Sequence, residues 1–156
     1  NNYDILPMLR MGRELGWAVS VVMNPVRAKA KLRELAAQIY PKDSEVPVDA
    51  YTAFILMAHD YETDKNNLAR VLPTDVPYIG MLGPVKRRKR SLEELEASGL
   101  SFSEEQLARL YNPIGLDIGA TTPEEIALSA LAEIKAHFAQ RRGMPLRERV
   151  GAIHTR

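Results

Sequence analysis

Residues 111–125, YNPIGLDIGATTPEE, decide how the rest of the chain is interpreted. The segment ends in a strong helix start: we expect Thr122 to be the N-cap, Pro123 to occupy the first helical position and Glu125 to close a capping box. The glycines before the cap allow the backbone to approach a ligand closely, and a helix N-terminus favours an anionic group. A tight connection between two elements is the alternative interpretation, because glycines are common at turns.

The composition is typical of one globular domain without a strongly charged surface. The chain has 156 residues, of which 46% are hydrophobic and 26% charged, and its net charge of +1 predicts neither a nucleic-acid nor a membrane partner. The absence of cysteine excludes disulfides, thiolate metal sites and a cysteine nucleophile, and it fits a cytoplasmic location. No apolar run reaches the roughly 18 residues that a transmembrane helix needs.

Outward from this segment, helical patterns alternate with short apolar runs that are typical of buried parallel strands. Strands are predicted at 17–23, 50–58 and 76–82, with a further strand or extended segment at 112–117. Helices are predicted at 6–15, 29–37, 64–72, 83–97, 103–110 (with a second capping box at its start) and 123–140. The alternation predicts an α/β fold: a Rossmann-like three-layer domain with a mostly parallel sheet over residues 1–142, followed by a basic extended tail at 143–156.

The order of the first elements is unusual for this fold. A helix precedes the first predicted strand, whereas a Rossmann unit begins with a strand and a glycine-rich turn. We therefore expect that strand and turn to be missing, with residues 1–4 forming the end of the turn. An open parallel sheet of this kind exposes an edge, which predicts self-association or a strand supplied by another chain.

Candidate ligand contacts follow the predicted strands, because ligands bind beyond the carboxyl ends of such sheets. His59 follows the second predicted strand and is expected to face a ligand, while Asp64 is expected to be the N-cap of the next helix. Gly80 and Gly83 precede the basic run 86–90 (KRRKR). Glycines at a helix start that are followed by cations suit a phosphate or a partner contact, and a solvated basic face is the alternative.

Residue types associated with catalysis are scattered along the chain. Asn24 ends the first predicted strand, where an NAD-binding domain has an acidic residue for the ribose, so ordinary NAD binding is disfavoured. The histidines and serines are too far apart in sequence to indicate a triad, and the spacing in segment 59–64 (HDYETD) matches no zinc pattern. We therefore assign no catalytic residue and no metal ligand.

Four motifs, in this order along the chain, closely resemble the XdhC/CoxI family of xanthine dehydrogenase accessory factors. They are HDYETD (59–64), YIGMLGPVKRRKR (78–90), NPIGLDIGATTPEEIALSALAEI (112–134) and PLRERVGAIH (145–154). The resemblance is to the C-terminal Rossmann domain of the family and extends from about residue 6 to residue 154.

The resemblance implies a chaperone for the molybdenum cofactor (molybdopterin) rather than a catalyst. Such proteins bind the cofactor, protect it while its terminal sulfur is installed, and help to insert it into a xanthine dehydrogenase-type apoenzyme, so the implied partners are that apoenzyme and a sulfurtransferase. Together with loop position, the resemblance indicates eight cofactor-binding residues. They are His59, Asp64, Gly80, Gly83, Gly115, Asp117, Gly119 and Thr122.

Two other functions are compatible with the same sequence. One is an NAD(P)-dependent oxidoreductase-like Rossmann domain, to which the fold alone would point. The other is an interaction domain with a vestigial ligand site, acting through the basic run and the tail on a dehydrogenase or a sulfurtransferase. Binding of cofactor without nucleotide would favour the chaperone over both.

Overall fold

A computed structural model describes residues 3–154 as helices packed on parallel strands. The helices are α1 (Ile5–Glu14), α2 (Ala30–Leu35), α3 (Tyr61–Val71), α4 (Val85–Ala97), α5 (Glu104–Ala108) and α6 (Pro123–Phe138). The strands are β1 (Val21–Val22), β2 (Ile39–Tyr40), β3 (Ala53–Leu56), β4 (Tyr78–Met81) and β5 (Leu110–Tyr111). Short 3-10 helices lie at Pro25–Arg27 and Leu146–Glu148. The turn predicted at residues 1–4 and the end of the predicted tail lie partly outside the described residues.

The strands of this part of the chain form two sheets, and every pairing is parallel. β1 pairs with β2, and β4 lies between β3 and β5. In the larger sheet Gly80 lies opposite Ile55 on one side and Tyr111 on the other. All four residues of β4 are buried, as expected for a central strand covered by helices on both faces. The parallel order brings the carboxyl ends of β3, β4 and β5 to one edge.

Successive residues of β4 face two different layers of helices, because side chains alternate along a strand. Ile79 and Met81 pack in one core cluster with residues of α3 and α4, including Leu68. Tyr78 packs on the other face against Leu131 and other residues of α6. α1 also contacts α6 on this second face. The predicted Rossmann-like three-layer architecture is therefore confirmed.

The first apolar run forms less strand than predicted. Within residues 17–23 only Val21–Val22 pairs in a ladder, and its partner is β2, which the sequence analysis did not predict. Pro41 follows β2 directly and has no N–H with which to continue the ladder. A strand of two residues is also too short for its alternating pattern to be recognised.

The segment before the glycine-rich loop also differs from the prediction. α5 ends at Ala108 and Leu110–Tyr111 forms β5, whereas residues 112–117 form no strand. Arg109 determines this register, because its guanidinium donates hydrogen bonds to three backbone carbonyls that precede β4. They are those of Leu72 (2.8 Å), Thr74 (2.7 Å) and Val76 (2.5 Å).

Helix ends are confirmed where the local signal is strong. Thr122 and Glu125 form the predicted capping box of α6, and Ser103 and Gln106 form that of α5. Gly16 follows α1 with φ +75°, in the left-handed conformation that glycine adopts at helix ends. These boundaries depend on residues within one turn of each other, so they could be predicted from sequence.

After α6 the chain returns toward the glycine-rich loop. A Cβ on Gly143 would lie 2.8 Å from Leu116 Cδ1, so the two segments are in close contact. The predicted extended tail contains the 3-10 helix Leu146–Glu148 and is extended only in part. The domain boundary between residues 142 and 143 stays a prediction. Across residues 3–154, no helix has the length and apolar character needed to cross a membrane.

Candidate functional site at the carboxyl edge of the sheet

The candidate site is the edge at which β3, β4 and β5 end. Backbone hydrogen bonds join the segments that follow these strands: Leu82 N donates to Leu56 O at 3.0 Å, and Ile114 N donates to Met81 O at 3.2 Å. In open parallel sheets this edge is where ligands bind. The eight predicted cofactor-binding residues lie on the three strands, on the loops that follow them or on the first turns of the next helices.

Asn112, the first residue after β5, holds the neighbouring loop in place. Its Nδ2 donates to Met81 O at 2.9 Å and to Gly83 O at 2.8 Å. Its Oδ1 is buried and accepts no hydrogen bond from the described residues. Because an unpaired buried acceptor is costly, this oxygen is suited to a donor on a ligand. The sequence analysis missed Asn112 because the two carbonyls that it bonds are remote from it in sequence.

Gly83 shapes the connection from β4 to α4. Its φ of +109° favours glycine, and a Cβ there would lie 3.2 Å from Arg87 Cδ. Pro84 is the N-cap of α4 and supplies no side-chain acceptor to the first-turn N–H groups. An uncapped helix start behind a glycine, with cations in the first turn, favours an anion.

Asp64 links the end of β3 to the start of α4. It is 1% exposed, and its Oδ1 accepts from Ala58 N at 2.9 Å while its Oδ2 accepts from Arg87 Nη2 at 3.0 Å. Burial raises the pKa of this carboxyl, and the Ala58 N–H and the Arg87 guanidinium oppose the rise. Arg87 Nε is itself buried and has no partner within residues 3–154. Both oxygens of Asp64 are therefore engaged, and its part at this edge is to position Arg87.

The predicted N-cap role of Asp64 is wrong by one helical turn. α3 begins at Tyr61, and Asp60 is its N-cap, with Oδ2 accepting from Thr63 N at 3.2 Å. The chain bends at His59 and enters the helix directly after the extended residue Asp60, which places Asp64 in the first turn with its side chain buried.

His59 lies at the end of the β3 segment and points outward. Its backbone has φ +60°, its side chain is 57% exposed, and its Nε2 contacts the carboxylate of Asp4. Asp4 is the N-cap residue of α1. The contact therefore joins the loop after β3 to the start of α1 and brings the N-terminus of α1 to the same edge.

Gly80 lies inside β4 and not in a loop. A Cβ there would be 2.3 Å from Ile114 Cδ1, so glycine is needed for the segment after β5 to pack on the strand. The structure thus gives Gly80 a packing role beneath Ile114, and its role in holding a ligand stays a prediction.

The glycine-rich loop, residues 115–122, is fastened to α6. Gly115 has φ +106°, and a Cβ there would lie 2.2 Å from Ser129 Oγ. Ser129 Oγ donates to Leu116 O at 2.6 Å, and Leu116 N donates to Ser129 O at 3.2 Å. The Thr122 hydroxyl accepts from Glu125 N at 3.2 Å. The polar groups at both ends of this loop are thus engaged by α6.

The tip of the same loop is open. Asp117 and Ile118 are exposed, and a Cβ on Gly119 would meet no atom within 4 Å. Asp117 and Gly119 are therefore the predicted residues of this loop that remain accessible to a ligand.

A partly buried polar cluster around the buried Tyr78 contacts the loop through Gly115. Tyr78 Oη donates to Glu133 Oε1 at 2.6 Å, and Gly115 N donates to the same oxygen at 3.2 Å. Tyr78 stacks on Tyr111 with ring centroids 4.5 Å apart, and Tyr111 Oη lies 3.0 Å from His137 Nδ1. Burial and the Glu133 carboxylate raise the pKa of Tyr78. Its hydroxyl thus stays protonated at neutral pH and serves as a structural donor.

The acidic and histidine residues do not converge on a common point. Among residues 3–154, no group of three or more His, Asp or Glu side chains is arranged to hold a metal ion. The assignment of no catalytic residue and no metal ligand stays a prediction.

The chain is similar to proteins associated with xanthine dehydrogenase. The family model described as the XdhC Rossmann domain matches residues 2–134. A protein of Bacillus subtilis described as a probable xanthine dehydrogenase subunit is 30% identical over 137 residues, 84% of this chain and 39% of that protein. The molybdenum cofactor insertion chaperone PaoD of Escherichia coli is 28% identical over 96 residues, 62% of this chain and 30% of that protein.

A solved structure supports the fold. The crystal structure of a xanthine dehydrogenase from Bacillus halodurans matches 88% of this chain and 42% of its own, with a TM-score of 0.75 and 24% identity. The chain thus spans less than half the length of each of these relatives. The family match covers most of the chain and the motifs that form the edge described above, and the chain therefore belongs to the XdhC family, within its Rossmann domain.

Proposed function

We propose that this domain binds the molybdenum cofactor at the carboxyl edge of its larger sheet and acts as an accessory protein in the maturation of xanthine dehydrogenase-type enzymes. Membership of the XdhC family and the names of two relatives support this proposal. The observation that carries it is a set of three features on the segments that follow β4 and β5. They are the start of α4, which has no side-chain cap, and two buried polar atoms, Arg87 Nε and Asn112 Oδ1, which have no hydrogen-bond partner among residues 3–154.

These groups fit a phosphorylated pterin. The first-turn N–H groups of α4 and the basic residues beside them suit its phosphate. Asn112 Oδ1 can accept from an N–H of the pterin ring, and Arg87 Nε can donate to one of its acceptors. When bound, the cofactor supplies the molybdenum centre that the target enzyme requires. The residues of this domain bind it and orient it, and they perform no chemistry of their own.

The eight predicted residues divide into two groups in this proposal. Those with open or exposed groups are proposed as direct contacts: His59, Gly83, Asp117 and Gly119. Those whose groups are engaged within the protein are proposed to position the loops: Asp64, Gly80, Gly115 and Thr122.

The same proposal includes the protein partners, the oligomeric state and the cellular location. The apoenzyme would receive the cofactor, a sulfurtransferase would act on it, and the chain would work as a homo-oligomer in the cytoplasm. An NAD(P)-dependent oxidoreductase is less well supported, because Asn24, two residues after β1, accepts from Val26 N at 3.0 Å and provides no carboxylate for a ribose.

Direct titration tests the proposal. The chain is mixed with purified molybdenum cofactor, and separately with NAD⁺ and NADP⁺, and free ligand is measured after ultrafiltration. We expect the cofactor to bind and the nucleotides not to. Gly83→Asp should weaken cofactor binding about tenfold or more, since a carboxylate would lie where an anion is expected.

Gly99→Asp is the matched control. Gly99 has φ +100°, close to that of Gly83, but it follows the opposite end of α4, where a Cβ would meet no atom within 4 Å. This variant should bind cofactor as the wild type does. Nucleotide binding without cofactor binding would instead indicate the oxidoreductase-like domain, and binding of neither would indicate an interaction domain.

A further inference from the structure

Residues 141–154, here called the tail surface, expose apolar side chains that are not needed at the cofactor edge. Met144 is 47% exposed, Leu146 65%, Val150 96% and Ile153 57%. Exposed aliphatic residues grouped in one short segment are typical of a contact with another molecule.

The tail surface begins against the glycine-rich loop and is folded on itself by two hydrogen bonds. Gly143 lies against Leu116, Arg141 Nη2 donates to Ile153 O at 3.3 Å, and Arg149 Nε donates to Ala152 O at 2.7 Å. The bond from Arg141 closes the segment into a loop. The apolar side chains are therefore presented on an ordered backbone, which lowers the entropic cost of binding.

The same segment is basic. Arg142 and Arg147 are exposed and form no ion pair with any residue from 3 to 154, and Glu148 is the single acidic residue of the segment. A partner surface that complements it must combine apolar contacts with carboxylates. Arginine and aliphatic side chains together are also characteristic of protein interfaces.

Other kinds of partner fit less well. The tail surface contains no Phe, Tyr or Trp side chain, the ring types on which nucleic-acid bases stack in single-strand-binding proteins. Its regular structure is the three residues Leu146–Glu148, so it presents no amphipathic helix for a membrane. Two copies of the same basic segment would repel each other across a symmetric contact.

We infer that the tail surface docks on a protein that has an apolar groove bordered by Asp or Glu side chains. The protein in question is the xanthine dehydrogenase-type apoenzyme, and this identification rests on the proposed function. Cofactor binding and apoenzyme docking would then use different parts of the domain, with Leu116 between them.

Binding to the purified apoenzyme of the same organism tests the inference. Biolayer interferometry at low and high salt should show binding by the wild type that weakens as salt rises. Val150→Asp should weaken it about tenfold or more. Val26→Asp, at a site that is 88% exposed on the 3-10 helix Pro25–Arg27, is the matched control and should bind as the wild type does. Arg147→Glu should also weaken binding and reduce its salt dependence, while Lys29→Glu should not.

Two further measurements separate this inference from the proposed function. Val150→Asp should bind molybdenum cofactor with wild-type affinity, and Gly83→Asp should still bind the apoenzyme. Wild-type apoenzyme affinity in Val150→Asp, or no apoenzyme binding by the wild type, would overturn the inference whatever the cofactor titration shows. So would a loss of self-association or of binding to anionic vesicles in Val150→Asp while apoenzyme affinity stays unchanged.

Discussion

The two glycine-containing loops at the carboxyl edge look alike in sequence and differ in structure. The loop at 115–122 packs its first glycine against Ser129 and is fastened to α6 by backbone and side-chain hydrogen bonds. The loop at Gly83 leaves the start of α4 without a side-chain cap, and beside it Arg87 Nε and Asn112 Oδ1 have no hydrogen-bond partner within the described residues. A glycine indicates close approach of the backbone to another group. In the first loop that group is the protein's own helix, and in the second we propose that it is a ligand.

The largest expected loss of stability comes from adding a methyl group to Gly115, where the first loop packs against α6. Gly115→Ala should lower the free energy of unfolding by about 4 kcal/mol, because the new methyl group would overlap Ser129 and the residue would keep a positive φ. Gly119→Ala also places alanine at a positive φ, but its methyl group would meet no other atom. This variant should lower the free energy of unfolding by about 1 kcal/mol. Urea denaturation measures both. Equal losses in the two variants would show that the loop is not packed on α6 as described.

A smaller effect is expected from releasing Arg87 beside the second loop. Asp64→Ala should lower the free energy of unfolding by about 3 kcal/mol, since it leaves the Arg87 guanidinium and the Ala58 N–H without their acceptor. Glu93→Ala, which removes a carboxylate that is 64% exposed and paired with Lys89 on the surface of α4, should leave the urea midpoint unchanged. A variant at residue 64 that unfolds at the wild-type urea concentration would contradict the link between β3 and α4.

The smallest expected effect is the pH dependence that Asp64 gives to the free energy of unfolding. The pKa of Asp64 is raised in the folded state, so the stability from its protonation is present below the unfolded value of 3.8 and is lost as pH rises through the folded value. The difference in unfolding free energy between wild type and Asp64→Asn should therefore increase in favour of the wild type as pH falls from 7 toward 4.

The comparison with Asp64→Asn is needed because other carboxyls change in the opposite direction. Lys65 and Arg90 lower the pKa of Glu94 to about 2, so stability from that group is lost as the pH falls through this value. The wild type and Asp64→Asn both contain Glu94, so its contribution cancels in the difference between their unfolding free energies. Urea denaturation at several pH values would show a constant difference if Asp64 were not buried as described.

Sequence predicted those features whose causes are local. Thr122 and Ser103 cap the helices as expected because each bonds a residue three positions away. Asp60 and Asp64 were confused because both are suitable caps one turn apart, and only tertiary burial distinguishes them. β5 was missed because its register depends on Arg109 reaching carbonyls more than thirty residues earlier.

In the candidate site, too, only features with local causes could be predicted from the sequence. Gly83 could be identified from its place before a basic helix start. Asn112 could not, since its importance comes from two carbonyls on a neighbouring strand and loop. Family resemblance supplied the proposed ligand, whereas the unpartnered Oδ1 of Asn112 became visible only in three dimensions.

The contact between α1 and α6 has a consequence for how this domain folds. Met8 packs with Ala127 and Ala130, so the second face of the sheet is completed by helices from opposite ends of the described chain. Contacts of such long sequence separation slow folding, because the entropy of closing a long loop must be overcome before they form. During synthesis this part of the core cannot form until α6 has left the ribosome. Until then the apolar face of α1 stays uncovered by α6 and is exposed to aggregation.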